Sequence, residues 1–327
     1  MILVTGGAGF IGSNLVAALA ERGQAVVVAD RLGSDGKWRN LAKHELADLV
    51  APESIFDLLE REGANIEAVV HLGAISDTTE RDADALMENN FRLSRALWLW
   101  CAKKNRPFIY ASSAATYGDG SEGFDDAATL EYLMRLRPLN GYGWSKQLFD
   151  RWMARQLAAD GPRPLQWAGL KFFNVYGPNE YHKAGQASVA FHLFRQVSKG
   201  EPARLFQSHR PDVADGEQQR DFVWVGDCVE VILWLLENRK VNGLFNLGTG
   251  RARSFADLAR AVFAAMKRNE NISYVPTPEA IRDKYQYFTE ARMERLTTAG
   301  YARPFTSLEE GVATYVTQYL ATADPYR

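Results

Sequence analysis

A glycine-rich turn near residue 6 lies between a short apolar run and an amphipathic segment. The apolar run covers residues 2–5, and the segment at residues 11–22 carries apolar side chains at helical spacing. Between them stand three glycines: Gly6, Gly9 and Gly12. In this strand–turn–helix context the helix N-terminus offers unpaired N–H groups to an anion. The pattern therefore predicts a site for the pyrophosphate of a dinucleotide.

The first half of the chain continues to alternate short apolar runs with longer amphipathic segments. Further strands are predicted at residues 25–29, 67–72, 108–112 and within 164–173. Further helices are predicted at residues 53–62, 83–104 and 143–157. This alternation predicts an α/β Rossmann fold, a doubly wound parallel sheet that binds ligands at the carboxyl ends of its strands.

The alternation ends after about residue 175. Short helical segments and isolated strands follow, with a polar excursion at residues 208–219. We predict an NAD(P)-binding Rossmann domain over residues 1–175. A smaller α/β domain, mainly for substrate binding, is predicted over residues 176–327. Within it, we expect the chain to re-enter the first domain near residues 222–228 and 245–250.

Composition and charge exclude several functional classes. The net charge of −2 argues against a nucleic-acid binder. Cys101 and Cys228 lie far apart without metal-ligand spacing, so we expect two core cysteines and neither a disulfide nor a metal site. No leader-like segment or membrane-spanning apolar run is visible, and we expect a cytoplasmic protein with no membrane partner.

Two positions after the second strand bear on cofactor choice. Asp30 ends that strand, where an acid can accept hydrogen bonds from a ribose. Arg31 and Lys37 follow and can accommodate a 2′-phosphate. These residues favour NADP and leave NAD possible.

A tyrosine and a lysine four residues apart indicate acid/base chemistry. Tyr142 and Lys146 share one face at the start of a predicted helix. A neighbouring ammonium stabilises a phenolate, so that Lys146 is expected to lower the pKa of Tyr142. Upstream, Ser113 closes a strand and can hydrogen-bond a substrate hydroxyl or developing oxyanion.

Together these elements resemble the extended short-chain dehydrogenase/reductase family, which includes NAD-dependent epimerases and dehydratases. The resemblance covers essentially the whole chain. It is finer for the members that act on ADP-heptose, and it rests on strings at residues 111–118, 171–178, 182–183, 187–192, 220–223, 245–251 and 285–289.

The resemblance implies an isomerase that acts at C6″ of an ADP-heptose in the synthesis of a lipopolysaccharide core precursor. C6″ is oxidised to a ketone, and the same hydride returns to the other face, so that tightly bound NADP is not consumed. Tyr142 and Lys183 match the two acid/base positions. By itself, Lys183 would be a loop lysine. The resemblance also implies a homo-oligomer.

The remaining roles are carried over position by position. Cofactor contacts would be Phe10, Ile11, Asp30, Arg31, Lys37, Leu72, Gly73, Ala74, Ile75, Ser76, Asn89, Lys146, Val175 and Lys183. Substrate contacts would be Ser113, Asn174, Gly185, His192, Phe206, Gln207, Ser208, His209, Arg220 and Tyr285. The chain departs from the family pattern at Pro52, Leu72 and Gly185, and in a longer loop between residues 206 and 220.

Other functions stay open at this stage. A 4-epimerase acting on UDP-sugars is the nearest alternative, and residues 183–192 discriminate against it. A sugar 4,6-dehydratase needs an Asp-Glu pair where this chain has Ala114, Ala115 and Thr116. A non-catalytic NADP-binding sensor should lack the Tyr142–Lys146 pair.

Overall fold

A computed structural model of the chain describes residues 1–282 and 285–327. The strands are β1 (Ile2–Thr5), β2 (Val26–Ala29), β3 (Asp48–Val50), β4 (Ala68–His71), β5 (Phe108–Ser113), β6 (Trp167–Phe172), β7 (Asn174–Tyr176), β8 (Ala203–Phe206), β9 (Gln219–Trp224), β10 (Gly243–Leu247), β11 (Ala252–Ser254) and β12 (Ile272–Val275). The helices are α1 (Phe10–Glu21), α2 (Ile55–Glu62), α3 (Ala83–Leu86), α4 (Leu93–Lys104), α5 (Leu130–Arg135), α6 (Gly141–Ala158), α7 (Val189–Ser198), α8 (Val225–Glu237), α9 (Phe255–Ala265), α10 (Glu279–Arg282), α11 (Glu294–Thr298) and α12 (Leu308–Tyr315).

Seven parallel strands form the large sheet in the order β10-β6-β5-β4-β1-β2-β3. β1 lies between β2 and β4, with Leu3 opposite Val27 and Val69. This order is that of a doubly wound nucleotide-binding sheet, in which the carboxyl ends of the strands flank a crevice. The predicted α/β Rossmann fold is confirmed.

Both faces of the large sheet are covered, which explains its nearly continuous apolar strands. Val4 and Val28 point into a core shared with α1 and α8. Leu3 and Val27 point to the opposite core, shared with α2, α4 and α6. Cys228 lies in the first core and Cys101 in the second, both as free thiols.

The second half builds smaller sheets around its own core. β11, β9 and β7 form one sheet and β12 pairs with β8, while α7, α9 and α12 supply the apolar core. The chain also returns to the first half, because β10 pairs with β6 and α8 packs against α1. β9 pairs with β7 and β11 and stays outside the large sheet. A domain division at residue 175 stays a prediction.

The predicted helix at residues 83–104 is continuous but not uniform. A π-helical segment, Met87–Arg92, joins α3 to α4. Among the described helices, none is long and apolar enough to cross a membrane. Within the same residues, no three His, Cys, Asp or Glu side chains are grouped so that they could hold a metal ion.

Candidate active site

A cavity of about 720 Å³ opens at the carboxyl ends of β1, β2, β4, β5 and β6. Both halves of the chain contribute to it. The predicted site residues that line it are Gly6, Gly9, Phe10, Ile11, Gly12, Asp30, Lys37, Leu72, Gly73, Ala74, Ile75, Ser76, Ser113, Tyr142, Lys146, Asn174, Val175 and Lys183.

The glycine turn is sterically required at two positions. Gly6 has φ of +68°, and a Cβ there would lie 2.6 Å from the backbone nitrogen of Gly73. A Cβ on Gly12 would lie 2.1 Å from the carbonyl oxygen of Gly6. The turn can therefore pack against the neighbouring loop and expose the N-terminus of α1 only without side chains. This cradle fits the diphosphate of a dinucleotide.

Asp30 joins the glycine turn to a cation. One of its oxygens accepts a hydrogen bond from the Ala8 backbone N–H at 2.9 Å. The other lies 2.6 Å from Lys37 Nζ, and both side chains are largely buried. The Lys37 ammonium thus offsets the charge of the acid at the position where the adenosine ribose of a dinucleotide is expected.

Arg31 lies outside the cavity lining on an exposed surface. Its guanidinium pairs with Glu53 and contacts Asn89 Oδ1 at 3.4 Å. Burial is slight here, and hydrogen bonds from the Glu53 backbone and from Arg31 lower the pKa of Glu53. Asn89 also lies outside the lining and donates to the Ala85 carbonyl. Cofactor roles for Arg31 and Asn89 stay predictions.

Asn90, which was not predicted, anchors the loop at residues 72–76. Its Oδ1 accepts from the Ile75 N–H at 2.9 Å, and its Nδ2 donates to the Ile75 carbonyl at 2.9 Å. Nδ2 also reaches Ser145 Oγ at 2.9 Å, and Ser145 donates to the Tyr142 carbonyl. The cofactor loop and the first turn of α6 are therefore held together by one buried amide.

The Tyr142–Lys146 pair occupies the first turns of α6. Asn140 caps this helix by accepting a hydrogen bond from the Gly143 N–H at 2.8 Å. Ser113, at the end of β5, lines the same wall, and its side chain acts on the pKa of Tyr142. Lys146 Nζ donates to the Ala111 carbonyl at 2.9 Å. One wall of the cavity thus carries a phenol, a hydroxyl and an ammonium.

Burial is the largest influence on the electrostatics of this pair. Burial raises the pKa of Tyr142, and the hydrogen bond from Ser113 opposes this rise. Burial also lowers the pKa of Lys146 to about 8, against the opposing charge of Asp150. Lys146 Nζ is bound to the Ala111 carbonyl on the same wall, and its effect on the pKa of Tyr142 stays a prediction. Ser113 is the group that favours the phenolate.

A fully buried ion pair supports this wall. Lys171 Nζ lies 2.9 Å from Asp150 Oδ2 and 2.7 Å from Thr116 Oγ1. Asp150 also accepts from Ser112 Oγ at 2.7 Å, and Thr116 Oγ1 donates to the Ser113 carbonyl at 2.7 Å. Since these bonds join β5, β6 and α6, they fix the backbone that carries Ser113. Leaving either charge unpaired in the core would be costly.

Lys183 enters the same cavity from the second half of the chain. It belongs to a short 3-10 segment, Tyr181–Gln186, and its Nζ lies 5.5 Å from the centroid of the Phe10 ring. Burial lowers the pKa of Lys183, and the charge of Glu180 opposes this shift. Gln186 in the same segment donates to Asp77 at 3.1 Å and links it to the cofactor loop.

An aromatic cluster beside the cavity holds Arg220, one of the predicted substrate contacts. Its guanidinium lies 5.6 Å from the Phe255 ring centroid and 5.3 Å from that of Tyr285. Phe255 itself lines the cavity, and Phe206 contacts Tyr285. Arg220 is 8% exposed, and no carboxylate of the described residues forms an ion pair with it. This arrangement suits an anion that comes from outside the chain.

The other predicted substrate contacts lie away from the cavity lining. These residues are Gly185, His192, Phe206, Gln207, Ser208 and His209, with Arg220 and Tyr285 one layer behind Phe255. The lining also includes residues that were not predicted: Asp77, Thr78, His182, Gln186, Ser188, Phe222, Phe255 and Leu258. Sequence patterns did not predict these lining residues, because they reach the cavity through tertiary packing.

The model of the NAD-dependent epimerase/dehydratase family matches residues 2–248 of the chain. The chain belongs to this family. Its predicted resemblance to extended short-chain dehydrogenase/reductases is thus confirmed. This membership agrees with the predicted enzyme class, an epimerase that acts on a nucleotide-sugar with a nicotinamide cofactor.

Several individual proteins are similar over their full length. A Nitratidesulfovibrio vulgaris protein named ADP-L-glycero-D-manno-heptose-6-epimerase is 53% identical over 330 residues and covers 100% of both chains. The crystal structure of the Helicobacter pylori protein of that name has a TM-score of 0.79 at 28% identity, over 97% of this chain and 95% of that one. Thermus thermophilus UDP-glucose 4-epimerase in complex with NAD has a TM-score of 0.74 at 28% identity, over 96% and 97%.

Proposed function

We propose that this chain converts ADP-D-glycero-D-manno-heptose into ADP-L-glycero-D-manno-heptose, in the synthesis of a lipopolysaccharide core precursor. The names of full-length relatives support this substrate. The observation that carries the proposal is that Tyr142 and Lys183, from the two halves of the chain, line one cavity. An epimerase needs such a pair, because proton transfer at C6″ oxygen occurs in two mirrored geometries.

The chemistry assigns one proton transfer to each group. Tyr142 holds or takes the proton of the C6″ hydroxyl in one epimer, with Ser113 hydrogen-bonded to the same oxygen. Lys183 serves the other epimer in the same way. When bound, the nicotinamide cofactor supplies hydride acceptance and hydride return at C6″, with no net consumption. Lys146 stabilises negative charge on that wall and can bind a ribose hydroxyl.

Arg220 supports a nucleotide-diphosphate sugar as the substrate. A guanidinium binds a diphosphate through two parallel hydrogen bonds. Buried between Phe255 and Tyr285, it lies next to the cavity that holds the acid/base groups. The Arg220 side chain would therefore fix the diphosphate while the heptose extends toward Tyr142 and Lys183.

NADP is proposed as the cofactor, with NAD as the alternative. The cradle of Gly6 and Gly12 fits the diphosphate of either one. Lys37 supports NADP, since its ammonium both offsets Asp30 and can bind a 2′-phosphate.

Lys37→Ala should lower the affinity for NADP by about 10–100-fold, the loss expected for one charge-assisted hydrogen bond, and leave NAD binding nearly unchanged. Titration of the cofactor-free protein with each dinucleotide, followed by calorimetry, measures both affinities. Arg39→Ala is the matched control, because Arg39 is an exposed cation on the same short 3-10 segment, Lys37–Asn40. An equal loss for both dinucleotides would rule out a role for Lys37 in phosphate recognition.

Product analysis tests the proposed reaction directly. The purified protein, after its bound cofactor is identified by mass spectrometry, is incubated with ADP-D-glycero-D-manno-heptose, and the C6″ configuration is read by NMR. We expect the L-glycero epimer to accumulate to equilibrium, and no conversion of UDP-glucose in a parallel sample. Conversion of UDP-glucose alone would instead make the enzyme a UDP-sugar 4-epimerase. Cofactor binding without turnover of either sugar would favour a sensor.

A homo-oligomer in the cytoplasm is also proposed. The family resemblance supports both properties. Light scattering of the purified protein tests the first, and fractionation of the producing cell tests the second.

A further inference from the structure

Glu180 is a buried carboxylate three residues before Lys183. Its side chain is 0% exposed. Its oxygens accept hydrogen bonds from the Ser188 N–H at 2.5 Å, from Ser188 Oγ at 2.7 Å and from the Tyr315 hydroxyl at 2.9 Å. Ser188 caps α7 and Tyr315 ends α12, so one carboxylate ties the Lys183 segment to two helices.

Burial and hydrogen bonding act on Glu180 in opposite directions, and the carboxylate lacks a direct ion-pair partner among the described residues. With the Gly177 N–H at 3.5 Å, four donors point at this carboxylate, and such donors stabilise the ionised form. Burial raises the pKa of Glu180, whereas these hydrogen bonds and the charge of Lys183 lower it. No cation of the described residues lies within ion-pair distance of it. Tyr181 and Tyr315 also face it, and burial keeps both phenols neutral by raising the pKa of each.

Two interactions connect Lys183 to Glu180: a backbone hydrogen bond and the charge of the carboxylate. The Lys183 N–H donates to the Glu180 carbonyl at 3.0 Å, and Glu180 precedes the 3-10 segment that carries the lysine. Burial of the ammonium favours neutral Lys183, and the Glu180 charge opposes this effect. Lys37, Asp30 and Asp35 act on His182 from the cofactor side.

We propose that Glu180 is a positioning residue for Lys183: it anchors the Tyr181–Gln186 segment to α7 and α12, and its carboxylate charge opposes the loss of the proton from the Lys183 ammonium. The inference rests on the proposed acid/base role of Lys183. It adds a buried residue, outside the cavity lining, to the machinery of the reaction.

Competitive acetylation by trace acetic anhydride tests the charge link on the whole enzyme. Peptide mass spectrometry gives the pH midpoint at which the Lys183 amine becomes reactive, with Lys37 as an internal reference. In Glu180→Gln we expect the Lys183 midpoint to fall by about one pH unit, because a nearby opposite charge is lost. The Lys37 midpoint should stay in place. Glu131→Gln, at an exposed glutamate on α5, is the matched control and should shift neither.

The same variants distinguish a role of Glu180 in positioning Lys183 from a role in stabilising the fold. Glu180→Gln should lower kcat at least about tenfold, with KM for the ADP-sugar within about twofold. If that variant does not fold, Ser188→Ala combined with Tyr315→Phe removes side-chain donors of the carboxylate and raises its proton affinity. The Lys183 midpoint must then fall as well. An unchanged midpoint in a folded variant overturns the inference. A shifted midpoint with normal kcat in both Glu180→Gln and Lys183→Met overturns the role of Lys183 instead.

Discussion

Tyr142→Phe should lower kcat for epimerisation at least about a hundredfold, the scale expected when a general acid/base group is lost. The substitution removes only the phenolic oxygen and leaves the ring to pack against the cavity wall. Because the glycine turn, Asp30 and Lys37 are untouched, the content of bound cofactor should stay at the wild-type level. Turnover is measured by NMR of the ADP-heptose C6″ signal.

The matched control is Tyr274→Phe. Tyr274 lies on β12 with 42% of its surface exposed, and it is not part of the cavity lining. Its variant should keep wild-type kcat and KM. Near-normal turnover in Tyr142→Phe, with cofactor bound, would remove Tyr142 from the mechanism.

We expect Ser113 to contribute to proton transfer through Tyr142, for a reason that only the structure provides. The sequence placed Tyr142 and Lys146 on one helical face and suggested that the ammonium lowers the phenol pKa. In the folded chain, burial raises the pKa of Tyr142 and Lys146 is bound to the Ala111 carbonyl. We therefore expect proton transfer through Tyr142 to depend on Ser113, and an oxidised nicotinamide ring would add positive charge to the cavity when bound.

Local sequence patterns were sufficient to predict the elements that depend only on burial, turn geometry or helical spacing. The buried runs around Val4, Val28 and Val70 are apolar on both sides, since each face of the sheet is covered, and the glycines mark the turn that follows β1. Tyr142 and Lys146 need only helical spacing and a cap to converge. Their placement at the cavity could therefore be expected from chain order and the rule that parallel sheets bind ligands at their carboxyl ends.

The structural features that sequence patterns did not predict depend on tertiary contacts. β3 is a short edge strand that includes the half-buried Asp48, so that it has no apolar run to detect. Within the π-helical segment Asn90 is buried and bonds to Ile75, whereas its neighbour Asn89 bonds to the Ala85 carbonyl. Arg31 pairs with Glu53, which a linear pattern cannot foresee. Phe255 reaches the cavity from α9, far along the chain.

Lys183→Met should abolish epimerisation, with turnover at least about a hundredfold below the wild type. Methionine keeps the length and apolar stem that lie near Phe10 and removes only the ammonium. Glu180 would then lose a nearby positive charge, but its hydrogen bonds from Ser188 and Tyr315 remain to hold the segment. Cofactor content and thermal unfolding temperature should accordingly stay close to wild type. Lys199→Met, at an exposed lysine after α7, should be fully active.

Lys183→Met and Tyr142→Phe should also fail in opposite ways. If each group serves one epimer, each variant retains proton transfer at the epimer served by the other group. Incubated separately with the D-glycero and L-glycero sugars, one variant should accumulate reduced cofactor with the first sugar and the other variant with the second, as read by nicotinamide absorbance. The same preference in both variants would contradict two separate acid/base groups. Full epimerisation by Lys183→Met would return Lys183 to the status of a loop residue that merely lines the cavity.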